Sequence, residues 1–247
     1  MNQYDVVGPS ESEITQVERI VSHRLKGSFL WMVVGLLTTI GVGVATLANP
    51  NWLQFAYQNF NIILLVQLGV VFLFSARAYS ANVMTLRGMF FLYSALNGLT
   101  LTLVSLRYDV FGVVIPALVG TLAFFIGFAV VGATTKRNLS SLTPYVMAAL
   151  LGMIIVSLVM IGARYFNWAV LSAFSDTVSL VLGYVGVVVF FIFTAIDVNR
   201  IKNKVTEVAL MEDESILDRI EITGALNLYL DFINLFLSLL RIFGNKR

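Results

Sequence analysis

The chain has 247 residues, 58% of them hydrophobic and only 12% charged, about half the charged share of an ordinary soluble domain. Its basic residues are scattered between apolar segments and leave a net charge of only +2, so the continuous basic face that nucleic acid requires is excluded. There is no cysteine, which excludes disulfides and thiolate metal sites, and the single histidine, His23, lies outside the apolar segments, leaving no basis for imidazole-bound metal catalysis.

This is the composition of a membrane protein. Residues 1–27 are too polar for a cleavable signal peptide and read as a leader on the cytoplasmic side. Within them "PSESEITQVER", with Ser10 or Ser12 as cap and early acids, predicts a short amphipathic helix on the membrane surface. A bilayer core of about 30 Å takes roughly 20 helical residues. Seven segments qualify, at about 28–48, 61–76, 88–106, 111–132, 144–163, 177–197 and 222–243. Asn49-Pro50-Asn51 ends the first, and Gln67 and Arg77 shorten the apolar run of the second. Pro144 sits in the first turn of the fifth, where its missing N–H is harmless, and Asp176 is the expected N-cap of the sixth. The one long connection, 198–221, reads as a cytoplasmic loop with a short helix at about 205–222. The expected architecture is therefore all-α: a leader, 1–27, and a seven-helix transmembrane domain, 28–247, with that loop inside it.

Lys and Arg in the short flanks set the orientation. An N-terminus in the cytoplasm places eleven on the inner side (Arg19, Arg24, Lys26, Arg77, Arg87, Lys136, Arg137, Arg200, Lys202, Lys204 and Arg219) against Arg107 and Arg164 outside. The tail, with Arg241, Lys246 and Arg247, is the exception and leaves two readings of the last segment, a full span or a re-entrant one.

Of the fourteen acids only Asp197 and Asp231 fall within apolar segments. A charged carboxylate at a helix centre costs roughly 2.5–3.5 kcal/mol on insertion scales, so a polar role is the default expectation. Gly224, Asn227, Asp231, Asn234 and Ser238 recur at intervals of three and four, which gathers them on one helix face as a polar seam. Gly183, Gly186, Thr194 and Asp197 form a weaker stripe on the sixth segment, where small residues admit a neighbouring helix. The sequence leaves contact between the two aspartates open. If they meet, two carboxylates in a low-dielectric layer cannot both stay charged cheaply, so the pair would take up a proton or a cation. Carboxylates with the amide oxygens of Asn227 and Asn234 suit a hard ion such as Ca²⁺. Arg77, at the inner end of the second segment, is in the right layer to act as a closing counter-charge. The alternatives are that Asp197 merely snorkels beside Arg200, that Asp231 bonds an asparagine, and that Arg77 only sets topology.

"GALNLYLDFINLFLSLLRIFG" (Gly224 to Gly244) resembles the last-helix signature of the Bax inhibitor-1, or transmembrane Bax-inhibitor-motif, family, and "LYSALNGLTLTLV" (Leu92 to Val104) is similar to its third-helix element. The resemblance runs from about residue 20 onward. It implies a bundle whose last helix is central, wrapped by the other six, and a pH-sensitive Ca²⁺ leak controlled by an aspartate pair, here Asp197 and Asp231, with Arg77 as the matching arginine. Around Asp197, "AIDVNRIK" departs from the family pattern at Ile196, Val198 and Asn199.

Three function classes follow. The first is a proton-regulated calcium leak, with an ion-coupled exchanger as its variant. The second is a non-transporting modulator of a membrane protease or of stress and cell-death machinery, which would meet a membrane-protein partner through 198–221. The third, an intramembrane aspartyl protease, lacks a glycine-rich run before "YLDFINLF" to open the helix for substrate, so no enzymatic activity and no cofactor are expected. The cysteine-free chain and short leader point to a bacterial inner membrane.

Overall fold

The computed structural model describes residues 10–211 and 213–244. It is all-α among those residues. The elements are α1 (Glu11–Ala48), α2 (Pro50–Gln58), α3 (Phe60–Arg77), α4 (Val83–Ser105), α5 (Ile115–Thr134), α6 (Thr143–Tyr165), α7 (Ala169–Ala173), α8 (Ser175–Val208) and α9 (Glu214–Gly244). A π turn, Val110–Val114, leads into α5, and a 3-10 turn, Leu139–Leu142, leads into α6. Seven of the helices are long and apolar enough to cross a membrane, and α2 and α7 are short connectors.

Local chemistry explains most boundaries. Ser10 caps α1 through a capping box, accepting from the Glu13 N–H while the Glu13 carboxylate accepts from the Ser10 N–H. The helix it starts is not a separate surface helix, because nothing between Glu11 and Ala48 interrupts it. Asn49 ends α1 and caps α2, its side chain accepting from the Asn51 N–H at 3.0 Å. Pro144 stands in the first turn of α6 as expected. Asp176 does not cap α8: Phe174 holds that position without a side-chain bond, and Asp176 lies in the first turn, where its charge still suits the helix dipole. Asn167, before α7, adopts φ 52°, a left-handed conformation that asparagine tolerates better than most residues.

Residues 198–221 also differ from expectation. They are not a loop carrying its own helix. α8 continues to Val208 and α9 begins at Glu214, so the described residues of 198–208 and 214–221 are helical. The reason is packing. Val205 and Val208 of one helix and Leu217, Ile216 and Ile220 of the other belong to the same apolar core as Ile20, Val21 and Leu25 of α1, so the two helices turn these residues inward as a hairpin instead of lining a surface helix. At 1.5 Å per residue α1, α8 and α9 are about 57, 51 and 46 Å long, well beyond a bilayer core of about 30 Å. Their excess forms a three-helix stub at the end of the bundle where α1 begins, which also carries most of the Lys and Arg; we call it the basic face.

α9 is the most enclosed helix: 61% of its apolar window is buried, against 44% for α8 and 11% for α6. It packs chiefly on α1, α4, α5 and α8, whereas α3 packs chiefly on α4, and α6 on α8. The six helices are therefore not equal neighbours of the last one. α9 is unbroken, and Gly244 lies against Tyr108 just beyond the end of α4, so it runs the full height of the bundle and is not re-entrant. Polar ties hold this inner group. The Thr39 hydroxyl bonds the Tyr229 hydroxyl at 2.7 Å and donates to the Ser94 carbonyl at 2.9 Å, while the Tyr229 ring meets Phe90 and Tyr93 edge-on.

Candidate functional site

The antiparallel pair α8 and α9 positions both aspartates. Small residues set the approach: a Cβ on Gly183 would stand 3.0 Å from Ile242, one on Gly186 2.4 Å from Ser238, and one on Gly224 2.6 Å from Ile201. These three pairings fix the register. Asp197 stands level with about Leu228 and Asp231 level with about Thr194, so the carboxyl-bearing residues are offset by about 4.5 Å along the axis, less than one turn. The polar seam of α9 therefore faces α8 and does not face lipid. Asp197 is 6% and Asp231 5% exposed, and Asn227 and Asn234 are half-buried.

Arg200 donates from Nη1 to the Asp197 carboxylate at 2.9 Å and from Nη2 to the Thr143 hydroxyl at 2.9 Å, which ties Asp197 to the start of α6. Asp231 is treated differently. Its Oδ2 is buried and has no hydrogen-bond partner among the described residues. An unpartnered carboxylate oxygen inside a bundle is costly, and a proton or a metal cation would relieve that cost.

Asn234 does not turn toward an ion; its amide donates to the Leu230 carbonyl at 2.8 Å. Asn227 lines a cavity of about 20 Å³, room for a single water, together with Asp197, Arg200, Lys204, Tyr79 and Thr223. The Thr223 hydroxyl there is buried without a hydrogen bond. Among the described residues no group of three or more His, Cys, Asp or Glu is arranged to hold a metal ion.

Arg77 is exposed at the end of α3, and the arginine that pairs with Asp197 is Arg200, three residues along the same helix. Sequence reading placed Arg200 beside Asp197 but did not single out Lys204, Tyr79, Thr143 or Thr223. The i, i+3 spacing was the available signal for Arg200; the others come from distant elements and carry none. Sequence reading also passed over Asn199 and Lys202 as anchors. Asn199 accepts from the Leu139 N–H at 2.9 Å and donates to the Arg137 carbonyl at 3.2 Å, and Lys202 donates to the carbonyls of Ala133 and Thr135 at 3.1 and 2.9 Å. These bonds fasten the turn between α5 and α6 to α8 and cap the end of α5.

The fold and the buried acidic pair define a multi-pass, all-α integral membrane protein with ionisable groups inside the bundle. Comparison gives it a family. Residues 21–247 match the family model described as inhibitor of apoptosis-promoting Bax1. The chain is 36% identical over 244 residues to inner membrane protein YbhL of Escherichia coli K12, covering 97% of this chain and 98% of that protein. It is 33% identical over 219 residues to an uncharacterized protein of Borreliella burgdorferi, covering 87% and 89%, and 31% identical over 220 residues to one of Deinococcus radiodurans, covering 89% of each. The chain belongs to the Bax inhibitor-1 family.

Proposed function

We propose that the protein is a proton-regulated cation leak, with Ca²⁺ as its principal ion, set in a bacterial inner membrane with the N-terminus in the cytoplasm. The observation that carries this reading is the buried Asp231 carboxylate oxygen without a hydrogen bond, on the face of α9 that packs against the helix bearing Asp197. Two acids give an entering Ca²⁺ charge compensation but not a full shell of six to eight oxygens. Asn227, Thr223 and water would supply the rest, an arrangement suited to a transient stop on a path and not to storage. A proton on either carboxyl removes half of that compensation, which couples flux to pH. The inner-membrane location follows the name of the Escherichia coli relative, and the orientation follows the basic face.

The test is Ca²⁺ flux through the purified chain in proteoliposomes across a pH series, repeated with Asp231→Asn and Asp197→Asn. The wild-type flux should change with pH and the Asp231→Asn flux should not. An unaltered pH response in Asp231→Asn removes this residue from the mechanism, and a flux that requires an opposing proton gradient replaces the leak with an exchanger.

A further inference from the structure

Tyr79 lines the small cavity beside Asp197 and is 59% exposed, so it stands between that carboxylate and the basic face. It sits in the turn 78–82 that joins α3 to α4. The two helices bearing the aspartates both hold this turn. From α8, Lys204 donates to the Tyr79 hydroxyl, with its ammonium 5.0 Å from the ring centroid. From α9, Arg219 donates through Nε to the Ala81 carbonyl at 3.1 Å and through Nη1 to the Tyr79 carbonyl at 3.2 Å. Every side-chain hydrogen bond that these two cations make to a described residue goes to this one turn. The cavity it covers admits about one water, and two cations, Arg200 and Lys204, share its wall with Asp197. A hydrated cation approaching Asp197 from the basic face therefore shares the cavity with a ring, a lysine and an arginine.

The geometry points to a lid: the turn 78–82, latched by Lys204 and Arg219, closes the route between Asp197 and the basic face, and the Tyr79–Lys204 contact sets how often it opens. Its role in ion flow rests on the reading of Asp197 and Asp231 given above. Closing by Lys204 and Tyr79 differs from closing by a direct arginine–aspartate pair across helices. The latch holds the cover without contacting either aspartate, and Asp197 keeps its own partner in Arg200.

The chain has no cysteine, so a single Thr223→Cys substitution gives an unambiguous reporter inside the covered cavity. The experiment measures modification of that reporter by a membrane-impermeant thiol reagent applied to the basic face in membrane vesicles, alone and combined with Tyr79→Ala, Tyr79→Phe or Lys204→Met. Tyr79→Phe keeps the ring in place and guards against a general loss of packing. Lys204→Met and Tyr79→Ala should speed labelling by about tenfold, the size expected when an open–closed balance loses one charge-assisted hydrogen bond, with Tyr79→Phe between them and the parent. Calcium flux at neutral pH should rise in the same order in chains that keep Thr223. Unchanged labelling in both Tyr79→Ala and Lys204→Met overturns the lid. Faster labelling with no calcium flux in the wild-type chain at any pH keeps the lid as a cover and overturns the transport reading on which its gating role rests.

Discussion

Gly127 and Gly132 sit on the same helix, α5, yet the same substitution should act on them with opposite sign. A Cβ on Gly132 would stand 2.4 Å from the Ala195 carbonyl oxygen and 2.9 Å from the Val198 Cβ, so α5 or α8 would have to shift. A Cβ on Gly127 would meet nothing within 4 Å. Gly132→Ala is therefore expected to destabilise by about 1–3 kcal/mol through overpacking, and Gly127→Ala to stabilise by roughly 0.5–1 kcal/mol through helix propensity. Thermal unfolding of the detergent-solubilised variants should show the Gly132→Ala midpoint fall while the Gly127→Ala midpoint holds or rises. The same scale shows which part of the candidate site sequence could reveal. Asp197 and Asp231 stand out because a carboxylate in an apolar helix needs a reason. The sequence set Arg200 beside Asp197, gave the closing role to Arg77 and offered nothing for Lys204 beyond a cation at a helix end. Only the fold separates exposed Arg77 from Arg200, which binds Asp197, and Lys204, which binds Tyr79.

At the scale of elements, α1 and α9 are joined at the basic face by one buried guanidinium. Arg24, 8% exposed, donates to Asp218 at 2.5 Å, to Glu221 at 3.1 Å and also to Glu214. Close by, the Ser28 hydroxyl donates to the Glu221 carbonyl at 3.0 Å, and Gly27 leaves room for the Glu221 carboxylate. The three acids are not equivalent, because the Glu214 side chain is 80% exposed while that of Glu221 is 11% exposed. Arg24→Met strands a buried carboxylate and should cost about 3 kcal/mol, lowering the unfolding midpoint by roughly 6–12 °C for a chain of this length. Glu214→Gln should move stability by less than about 1 kcal/mol, as expected of an exposed partner. A Glu214→Gln loss as large as that of Arg24→Met would show that the outer acid carries the junction. Element number and type were legible, since seven apolar runs of adequate length leave few alternatives. Element ends were less so. "VALMEDESIL" contains no Gly or Pro to mark the turn between α8 and α9, and its apolar residues keep a helical spacing; only the fold shows Val208, Ile216 and Leu217 turned into the core from two helices while Leu210 and Met211 stay exposed at the turn.

For the whole molecule, the alternation of seven spans puts the start of α1, the turns after α3, α5 and α8, and the lid at Tyr79 on one face. It puts α2, the connection before α5, the α6–α8 connection and the end of α9 on the other. Because α9 runs the full height, Arg241 in its last turn stands on the second face. Among the described residues the bias becomes eleven Lys and Arg against three, counting Arg107, Arg164 and Arg241. Arg241 does not reverse the preference. Charges next to the early spans act before α9 exists, and Arg19, Arg24 and Lys26 precede the first apolar segment. With a chain that has no cysteine, single substitutions can report each face. Ser12 and Gln58 are both exposed, one near the start of α1 and the other at the end of α2. A membrane-impermeant thiol reagent added to intact cells should label Gln58→Cys and spare Ser12→Cys, and inverted membrane vesicles should reverse that pattern. Labelling of Ser12→Cys in intact cells would turn the bundle over. The lid proposed at Tyr79 would then face the outside.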